Sequence, residues 1–276
     1  MNRNIDDKTV QGFGEEWDTF NHHDVSTDTF NTIFSEYFSV MPSEIFNGKS
    51  VGFDFGCGSG RWARIIAPKV GKLHCIDASE KALLVAKEGL SEHKNCEFHY
   101  SSSNELPLAD NSCDFGFSLG VLHHIPSTKD AMAECVKKLK PGAPFLVYLY
   151  YAFDNKPWWF KLIWKTSEIV RTVLSKMPFK LRLLFSQIIA ALIYFPLSRT
   201  ALLFNKMGVD TSNFPLNYYR DKPFYIQRTD ALDRFGTRLE QRFTRQEITQ
   251  MMEFSGLSEI VFSDNMPFWC AVGTKD

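Results

Sequence analysis

The sequence predicts an α/β protein built on a doubly wound, mostly parallel seven-stranded sheet with a C-terminal antiparallel hairpin. Two observations carry this prediction. From about Gly48 to residue 150, apolar segments of strand length alternate with segments of helix length, which is typical of parallel strands joined by helices. The alternation stops for roughly eighty residues and resumes at Thr244, which indicates a helical insertion after strand five. Residues 1–46 lack a strand pattern and predict an N-terminal helical cap.

The first half of the sheet is predicted from three strands and the two helices between them. "SVGFDF" alternates as a buried strand, and "RWARIIAPKV" follows as a helix that Pro68 ends. "KLHCIDA" is the second strand. Ser79 is then the predicted N-cap of a helix over "EKALLVAKEGL", which stops near Gly89. "CEFHYS" is the third strand.

The second half of the sheet continues the same alternation. "SCDFGFSL" is strand four, "TKDAMAECVKKLKPGA" is a helix, and "PFLVYLYY" is apolar on both faces, as a central parallel strand should be. Thr244 and Glu247 have the spacing of a capping box, and their helix ends at Gly256. "LSEIVFS" and "PFWCAVGT", joined by the turn "DNM", predict the final hairpin. The predicted segments are 1–46, 47–151, 152–240 and 241–276.

Composition favours a protein of the cytoplasm. The 276 residues carry 31 Lys and Arg against 32 Asp and Glu, so nothing in the overall charge favours a nucleic-acid partner. The six cysteines show no CxxC spacing, which predicts reduced thiols and no metal site. The polar, acidic start "MNRNIDDKTVQGFGEEW" is unlike a secretory signal peptide.

The segment "DFGCGSG", which begins at the end of the first strand and continues into a glycine loop, is compared with the binding sites of two kinds of ligand. A dinucleotide site has the spacing GxGxxG, whereas here the glycines follow GxGxG and Arg61 stands where a third Rossmann glycine would be. Asp54 precedes the loop, where a carboxylate would repel a phosphate and attract a cation. A sulfonium ligand that carries an ammonium group fits this arrangement better than a nicotinamide dinucleotide.

Several motifs in one order identify a family resemblance. "DFGCGSG", "CIDAS", "SSNELPLADNSCDFGFSLGVLHHIP" and "LKPGA" resemble those of class I S-adenosylmethionine-dependent methyltransferases of the small-molecule type. The resemblance covers about residues 48–150 and, more loosely, 240–276. It implies S-adenosylmethionine as cofactor and S-adenosylhomocysteine as product.

The resemblance also implies the cofactor-binding residues. Asp54, Gly56 and Gly58 would line the methionine end of the cofactor, and Asp77 would accept hydrogen bonds from both ribose hydroxyls. Leu119 would offer its carbonyl to the cofactor's ammonium group. Many relatives carry an acid where this chain has Ser102, whose hydroxyl can still meet the adenine amine. The implied set is Asp54, Gly56, Cys57, Gly58, Asp77, Ala78, Ser102, Ser103 and Leu119.

The N-terminal stretch "FGEEWDTF" has two interpretations. Gly14 permits a tight bend, so that Trp17 and Phe20 could cover the cofactor once the N-terminal cap folds down. Alternatively, Trp17 and Phe20 anchor an amphipathic helix in the core. Both interpretations can hold together, and Trp17 is included among the predicted cofactor contacts.

Strand four and the turn after it restrict the acceptor and supply the predicted catalytic groups. Methyltransferases that act on nucleobase or amide nitrogens commonly carry an [N/D]PP[Y/F] turn here, whereas this chain has "SLGVLHHIP". A small-molecule or lipid-linked acceptor is therefore expected. A base is needed where the acceptor loses a proton, and His123 or His124 can supply it. The resemblance places His124 nearer the ligand, although both rings could instead pack on the next helix.

A second pair of adjacent histidines, His22 and His23, lies in the N-terminal segment and predicts a solvated turn.

The insertion is basic and aromatic. Between Lys156 and Lys206, nine Lys and Arg stand against one acid, Glu168. "WWFKLIWKTSEIVRTVLSK" predicts an amphipathic helix, and the apolar stretch Leu181–Phe195 is too short for a membrane span because Pro196 ends it. The insertion is then a lid over the acceptor, a homodimer interface, or a surface that meets anionic lipid.

Two alternatives to a methyltransferase remain open at this point. One is a catalytically silent module that keeps the fold at a membrane, and the other is a nicotinamide dehydrogenase.

Beyond the apolar stretch of the insertion, four arginines are mixed with tyrosines. They predict either a site for an anionic acceptor or a salt-bridged surface, and they are Arg220, Arg228, Arg234 and Arg238.

Overall fold

A computed structural model describes residues 4–20 and 27–276 of the chain. Two compact units are present: one comprises the chain up to Ala152 together with Leu239–Asp276, and the other is Phe153–Arg238. The predicted histidine pair His22 and His23 lies outside the described residues.

The first unit contains a seven-stranded sheet in the order β3-β2-β1-β4-β5-β7-β6. The five strands from β3 to β5 are parallel, and β7 joins β5 and β6 in antiparallel pairs. The predicted fold class is therefore confirmed, with the C-terminal hairpin at one edge of the sheet. The strands are β1 Val51–Phe55, β2 Lys72–Asp77, β3 Cys96–Tyr100, β4 Phe115–Leu119, β5 Pro144–Tyr148, β6 Leu257–Phe262 and β7 Cys270–Lys275.

The centre of the sheet is held by phenylalanines that lie against glycines. A Cβ added to Gly52 would stand 2.1 Å from the Phe115 ring, and one added to Gly116 would stand 2.3 Å from the Phe53 ring. Phe53 and Phe115 are fully buried. Because buried rings cannot withdraw from an added methyl group without overpacking, these two glycines are required by close packing across the β1–β4 pair.

Helices of the first unit begin at the positions that capping residues predict. Ser79 caps α4 through the backbone N–H of Ala82, and Thr244 and Glu247 form the predicted capping box of α10. The predicted helix "RWARIIAPKV" is shorter than expected, with one α-turn followed by a 3₁₀ turn. The helices are α1 Asp7–Thr19, α2 Thr27–Tyr37, α3 Ala63–Ile66, α4 Glu80–Gly89, α5 Thr128–Lys137 and α10 Arg245–Phe254.

The second unit is helical, and its arginines hold it together. Arg171 and Arg182 donate hydrogen bonds to the carbonyls that end α9, and Glu168 pairs with both Arg171 and Arg234. These contacts satisfy backbone acceptors that a helix C-terminus leaves unpaired. The helices are α6 Trp158–Leu174, α7 Phe179–Ile189, α8 Phe195–Lys206 and α9 Phe224–Gly236.

One prediction for this insertion is wrong. Pro196 does not end the apolar helix: α7, a π-helical segment over Ala190–Tyr194 and α8 form one helix, Phe179–Lys206, of 28 residues. Pro196 lies inside this continuous helix, directly after the π-helical segment. The apolar side of α6 is largely exposed, with Ile169 at 68%, whereas Arg171 is buried.

Candidate active site

The predicted site residues meet at one edge of the sheet in the first unit. The loop after β1, the end of β2 and the turn after β4 all lie at the carboxyl ends of parallel strands. Open α/β sheets bind their ligands at this edge, beside the point where the strand order reverses. Here the order reverses between β1 and β4, directly at the glycine loop.

The glycine loop needs glycine for two separate reasons. Gly56 has φ of +79°, and a Cβ there would stand 2.3 Å from Val121, so a larger residue would be both strained and crowded. Gly58 has φ of +54°, and a Cβ there would stand 3.0 Å from the indole of Trp17. The first glycine therefore lets the turn after β4 approach, and the second lets α1 lie over the loop.

Asp54 is a buried carboxyl group, and one of its oxygens accepts no hydrogen bond within the described residues. It is 1% exposed, and its Oδ2 has no hydrogen-bond partner among the described residues. Burial, with a smaller contribution from the charge on Asp77, raises the pKa of Asp54 well above its ordinary value. A buried carboxylate without a partner is costly, and a cationic donor would remove that cost. This is the environment that an ammonium group of a ligand would satisfy.

Asp77 holds the loop and the start of α4 together. Its Oδ2 accepts a hydrogen bond of 2.8 Å from the N–H of Gly58, and its Oδ1 accepts one of 2.8 Å from the N–H of Ser79. Burial raises the pKa of Asp77, and these backbone N–H groups, with that of Ala78, offset part of the rise. Each carboxylate oxygen keeps a second lone pair, so both can still accept from a diol.

The remaining predicted cofactor contacts lie around these two acids. The thiol of Cys57 is buried and in contact with Cys75, a contact that lowers the pKa of Cys57, whereas burial and the two acids raise it to about 11 in all. Cys57 therefore stays a neutral thiol. Ser103 is buried and donates to the carbonyl of Asn4, so its hydroxyl is already engaged within the protein. Ala78 and Ser102 are half-buried, and Leu119 is buried at the end of β4.

His124 has one ring nitrogen fixed by the backbone. Its Nδ1 lies 2.6 Å from the carbonyl oxygen of Leu239, and the ring packs 4.9 Å from that of Phe13. A carbonyl only accepts hydrogen bonds, so Nδ1 carries the proton and Nε2 is the basic atom of the neutral ring. This is the tautomer arrangement that orients a histidine for work as a general base.

His123 lies deeper, with its ring against those of Tyr150 and His124. It is fully buried, and its ring stacks 3.9 Å from that of Tyr150. Neither ring nitrogen has a hydrogen-bond partner within residues 4–20 and 27–276. Burial, followed by the nearby His124 and Arg242, lowers the pKa of His123 well below its ordinary value, so it stays neutral. Packing is its principal observed role.

The N-terminal helix lies directly against the glycine loop. Trp17 contacts Gly58, and the guanidinium of Arg61 stands 5.5 Å from the centre of the Trp17 ring. Phe20 is buried. The expected bend at Gly14 is wrong: Gly14 lies inside α1, where a Cβ would stand 2.5 Å from the hydroxyl of Ser79, so it serves close packing of α1 on α4.

Sequence reasoning missed two parts of this site. The first is an aromatic group, in which Tyr37 contacts Trp62 and Tyr148 at 5.0 Å each and Tyr150 follows at 5.8 Å from Tyr148. The sequence predicts the tyrosines of "PFLVYLYY" only as strand residues. Their place at the carboxyl end of β5, where such sheets bind ligands, could have indicated that they belong to the site. The second is the segment after the insertion, whose Leu239 carbonyl binds His124; its 115-residue separation left no local signal.

The part of the chain that forms this site is similar to known methyltransferases. Residues 53–147 match the model of a methyltransferase domain. The chain is 38% identical over 100 residues to phosphoethanolamine N-methyltransferase 2 of Caenorhabditis elegans, covering 35% of this chain and 23% of the relative. It is 28% identical over 157 residues to a ubiquinone biosynthesis O-methyltransferase of Aromatoleum aromaticum, covering 51% of this chain and 62% of the relative. The chain thus spans less than two thirds of each of these relatives.

A solved structure supports the fold over the full chain. A SAM-dependent methyltransferase of Thermotoga maritima superposes with a TM-score of 0.50 at 14% identity, covering 97% of this chain and all of the other. The segment that matches the methyltransferase-domain model, residues 53–147, contains the glycine loop, Asp77 and both histidines of the turn after β4. The chain therefore carries a class I S-adenosylmethionine-dependent methyltransferase domain.

Proposed function

We propose that the protein transfers a methyl group from S-adenosylmethionine to a small-molecule acceptor that is apolar or linked to a lipid. The observation that carries the cofactor assignment is Asp54, a buried carboxyl whose Oδ2 has no partner among the described residues. Its position beside the glycine loop suits the ammonium group of the cofactor, and Asp77 suits the ribose. Of the two relatives, the one named for ubiquinone biosynthesis favours an apolar acceptor, whereas phosphoethanolamine, named for the other, is a small polar molecule.

The residues of the site divide the work of the reaction. Bound S-adenosylmethionine would supply a methyl group on a positively charged sulfur, with S-adenosylhomocysteine as the leaving group when the carbon–sulfur bond breaks and the acceptor bonds to the methyl carbon. Asp54 holds the ammonium group of the cofactor and Asp77 holds its ribose, while Trp17 covers the loop and excludes water. His124 accepts at Nε2 the proton that a hydroxyl or ammonium acceptor releases, while the Leu239 carbonyl holds Nδ1–H. Positioning supplies the rest of the acceleration.

Transfer of an isotopic label tests this proposal. The protein is incubated with S-adenosylmethionine labelled in the methyl group and with either a lipid extract or an aqueous metabolite extract. Label is expected in an organic-soluble product, together with S-adenosylhomocysteine. Label only in the aqueous fraction would reject the apolar acceptor. A protein that binds the cofactor yet transfers no label to either extract would be the catalytically silent module.

The lipid part of the proposal rests on the outward face of the helix Phe179–Lys206. This helix is long and apolar enough to cross a membrane, with a mean hydropathy of 1.6 over its most apolar window, of which 22% is buried. Its exposed apolar residues recur every three or four positions, and thus form one stripe along the helix, whereas the opposite stripe packs against α9. The exposed stripe is Leu181, Leu184, Ile188, Leu192 and Phe195.

Charge favours an anionic surface as the partner of this stripe. Several lysines of the second unit are exposed, whereas Arg171 is buried in its pair with Glu168 and is therefore unavailable to lipid. Trp158 is 76% exposed near the start of α6. Crossing a bilayer would strip the helix of its packing on α9, so the helix lies along the interface. The exposed lysines are Lys161, Lys165, Lys176, Lys180 and Lys206.

Vesicle sedimentation is expected to show salt-sensitive binding. The protein should pellet with phosphatidylglycerol–phosphatidylcholine vesicles at low salt and less so as salt rises. A double variant, Lys161→Glu with Lys165→Glu, should weaken binding by about tenfold or more, since each cation near an anionic surface contributes on the order of 1 kcal/mol. The matched control, Lys87→Glu with Lys94→Glu, makes the same charge change in the first unit and should bind normally.

Three results would count against this docking. Equal pelleting with pure phosphatidylcholine would reject the role of charge. No pelleting at low salt would reject the membrane surface. If analytical ultracentrifugation then showed a dimer that Leu184→Ser with Leu192→Ser converts to a monomer, the stripe would be an interface between two copies of the chain; if it did not, the stripe would belong to a lid.

A further inference from the structure

A cluster of side chains that can bind a metal lies on the edge strand β3 and its neighbour β2, whereas the histidines of the candidate active site follow the central strand β4. His74 lies on β2, and Glu97 and His99 lie on the edge strand β3. The parallel register pairs His74 with Glu97 and Ile76 with His99. Because side chains two residues apart along a strand share a face, the three side chains stand on the same face of the sheet.

The donor atoms of this cluster already have the separations of a coordination shell. His74 Nδ1 stands 3.0 Å from His99 Nε2 and 3.2 Å from Glu97 Oε2, and all three donor atoms lie within 4.8 Å of one another. In a tetrahedral zinc site with bonds of about 2.0–2.1 Å, neighbouring ligand atoms are separated by roughly 3.3 Å. An ion could therefore be coordinated with little movement of these side chains.

The surroundings leave the donors available. Lys72 binds the other oxygen of Glu97, Oε1, at 2.6 Å, so Oε2 remains directed at His74. The side chain of Glu97 is 47% exposed, which gives water access to a fourth position.

We propose that His74, Glu97 and His99 form a binding site for one transition-metal dication of the Zn²⁺ type, with water as the fourth ligand. Two imidazoles and a carboxylate are a ligand set that zinc accepts in proteins. The ion would join β2 to the edge strand β3. This site is independent of methyl transfer, because it uses neither Asp77 at the end of β2 nor the histidines after β4.

Titration of Zn²⁺ into tag-free protein tests the site. Calorimetry is expected to show one ion per chain, and His99→Ala or Glu97→Gln should each weaken binding by at least about tenfold. His93→Ala is the matched control, because His93 lies just before β3 and outside the cluster. Zn²⁺ should also raise the unfolding midpoint of the parent protein and of His93→Ala, but not that of Glu97→Gln, whose exposed side chain is not needed for folding.

X-ray absorption separates this site from binding by the cysteines. Nitrogen and oxygen ligands are expected around the ion, without sulfur. Sulfur ligation, or equal affinity in the parent protein and in both cluster variants, would overturn the proposal. The cluster would then be a chain of hydrogen bonds from His99 through His74 to Glu97 and Lys72.

Discussion

Replacing His124 with alanine is expected to slow methyl transfer by about 10²- to 10⁴-fold, the usual contribution of a general base. The physical reason is the fixed tautomer: the Leu239 carbonyl holds Nδ1–H at 2.6 Å and leaves Nε2 to take the acceptor's proton. The measurement is the initial rate of label transfer from labelled S-adenosylmethionine. Cofactor affinity, followed by calorimetry, should stay within about twofold of the parent protein, because the role proposed for His124 concerns the acceptor.

His123 supplies the matched control for this experiment. It is fully buried against Tyr150, so His123→Phe keeps an aromatic ring in that place. A rate close to that of the parent protein is expected, provided that the unfolding midpoint is unchanged. Loss of the rate in His123→Phe with a normal rate in His124→Ala would exchange the two roles. Normal rates in both would leave a reaction driven by positioning alone.

Replacing Asp54 with asparagine is expected to weaken binding of S-adenosylhomocysteine by about 10- to 100-fold, the loss of a charged hydrogen bond of about 1.5–3 kcal/mol. The same change should raise the unfolding midpoint of the ligand-free protein at pH 8, because it removes a buried charge without a partner. Gain of stability with loss of affinity is the signature of a group placed for a ligand. Lower stability together with unchanged affinity would contradict this role.

The pH dependence of that affinity follows from the raised pKa of Asp54. The carboxyl binds an ammonium group only when ionised, and burial holds its pKa well above the ordinary 3.8. Affinity should therefore fall as pH is lowered through the raised pKa, at a pH where an exposed aspartate would still be fully ionised. Asp54→Asn should show no such fall. A parent protein whose affinity is constant down to about pH 4 would contradict the assignment.

Local chemistry made most of the fold predictable from the sequence. The caps at Ser79 and Thr244 are decided within four residues, and the glycine loop is marked by its own composition. The parallel strands could be predicted because each is an apolar segment between two helical segments. For the same reason Asp54 and Asp77 could be identified as site residues from their places at the ends of strands, because the topology of such sheets brings those ends together.

Features that depend on distant residues could not be predicted in this way. Gly14 was interpreted as a bend because its reason, the hydroxyl of Ser79, lies on another helix. Pro196 was interpreted as a helix end because a π-helical segment before it gave no signal in the sequence. The pairing of His74 with His99 needs the register of β2 and β3, so the cysteine spacing alone predicted no metal site.

Calorimetric titration of S-adenosylhomocysteine and of NAD⁺ tests the central claim, which is that this sheet edge binds the methyltransferase cofactor. The parent protein is expected to bind S-adenosylhomocysteine and not NAD⁺. Asp77→Ala should bind at least about tenfold more weakly, since it removes two charged acceptors for the ribose. Because Asp77 also accepts hydrogen bonds from the N–H groups of Gly58 and Ser79, the unfolding midpoint of Asp77→Ala is measured as well, as a control for collapse of the loop. Tight binding of NAD⁺, or equal affinity for S-adenosylhomocysteine in the parent protein and in Asp77→Ala, would contradict the account.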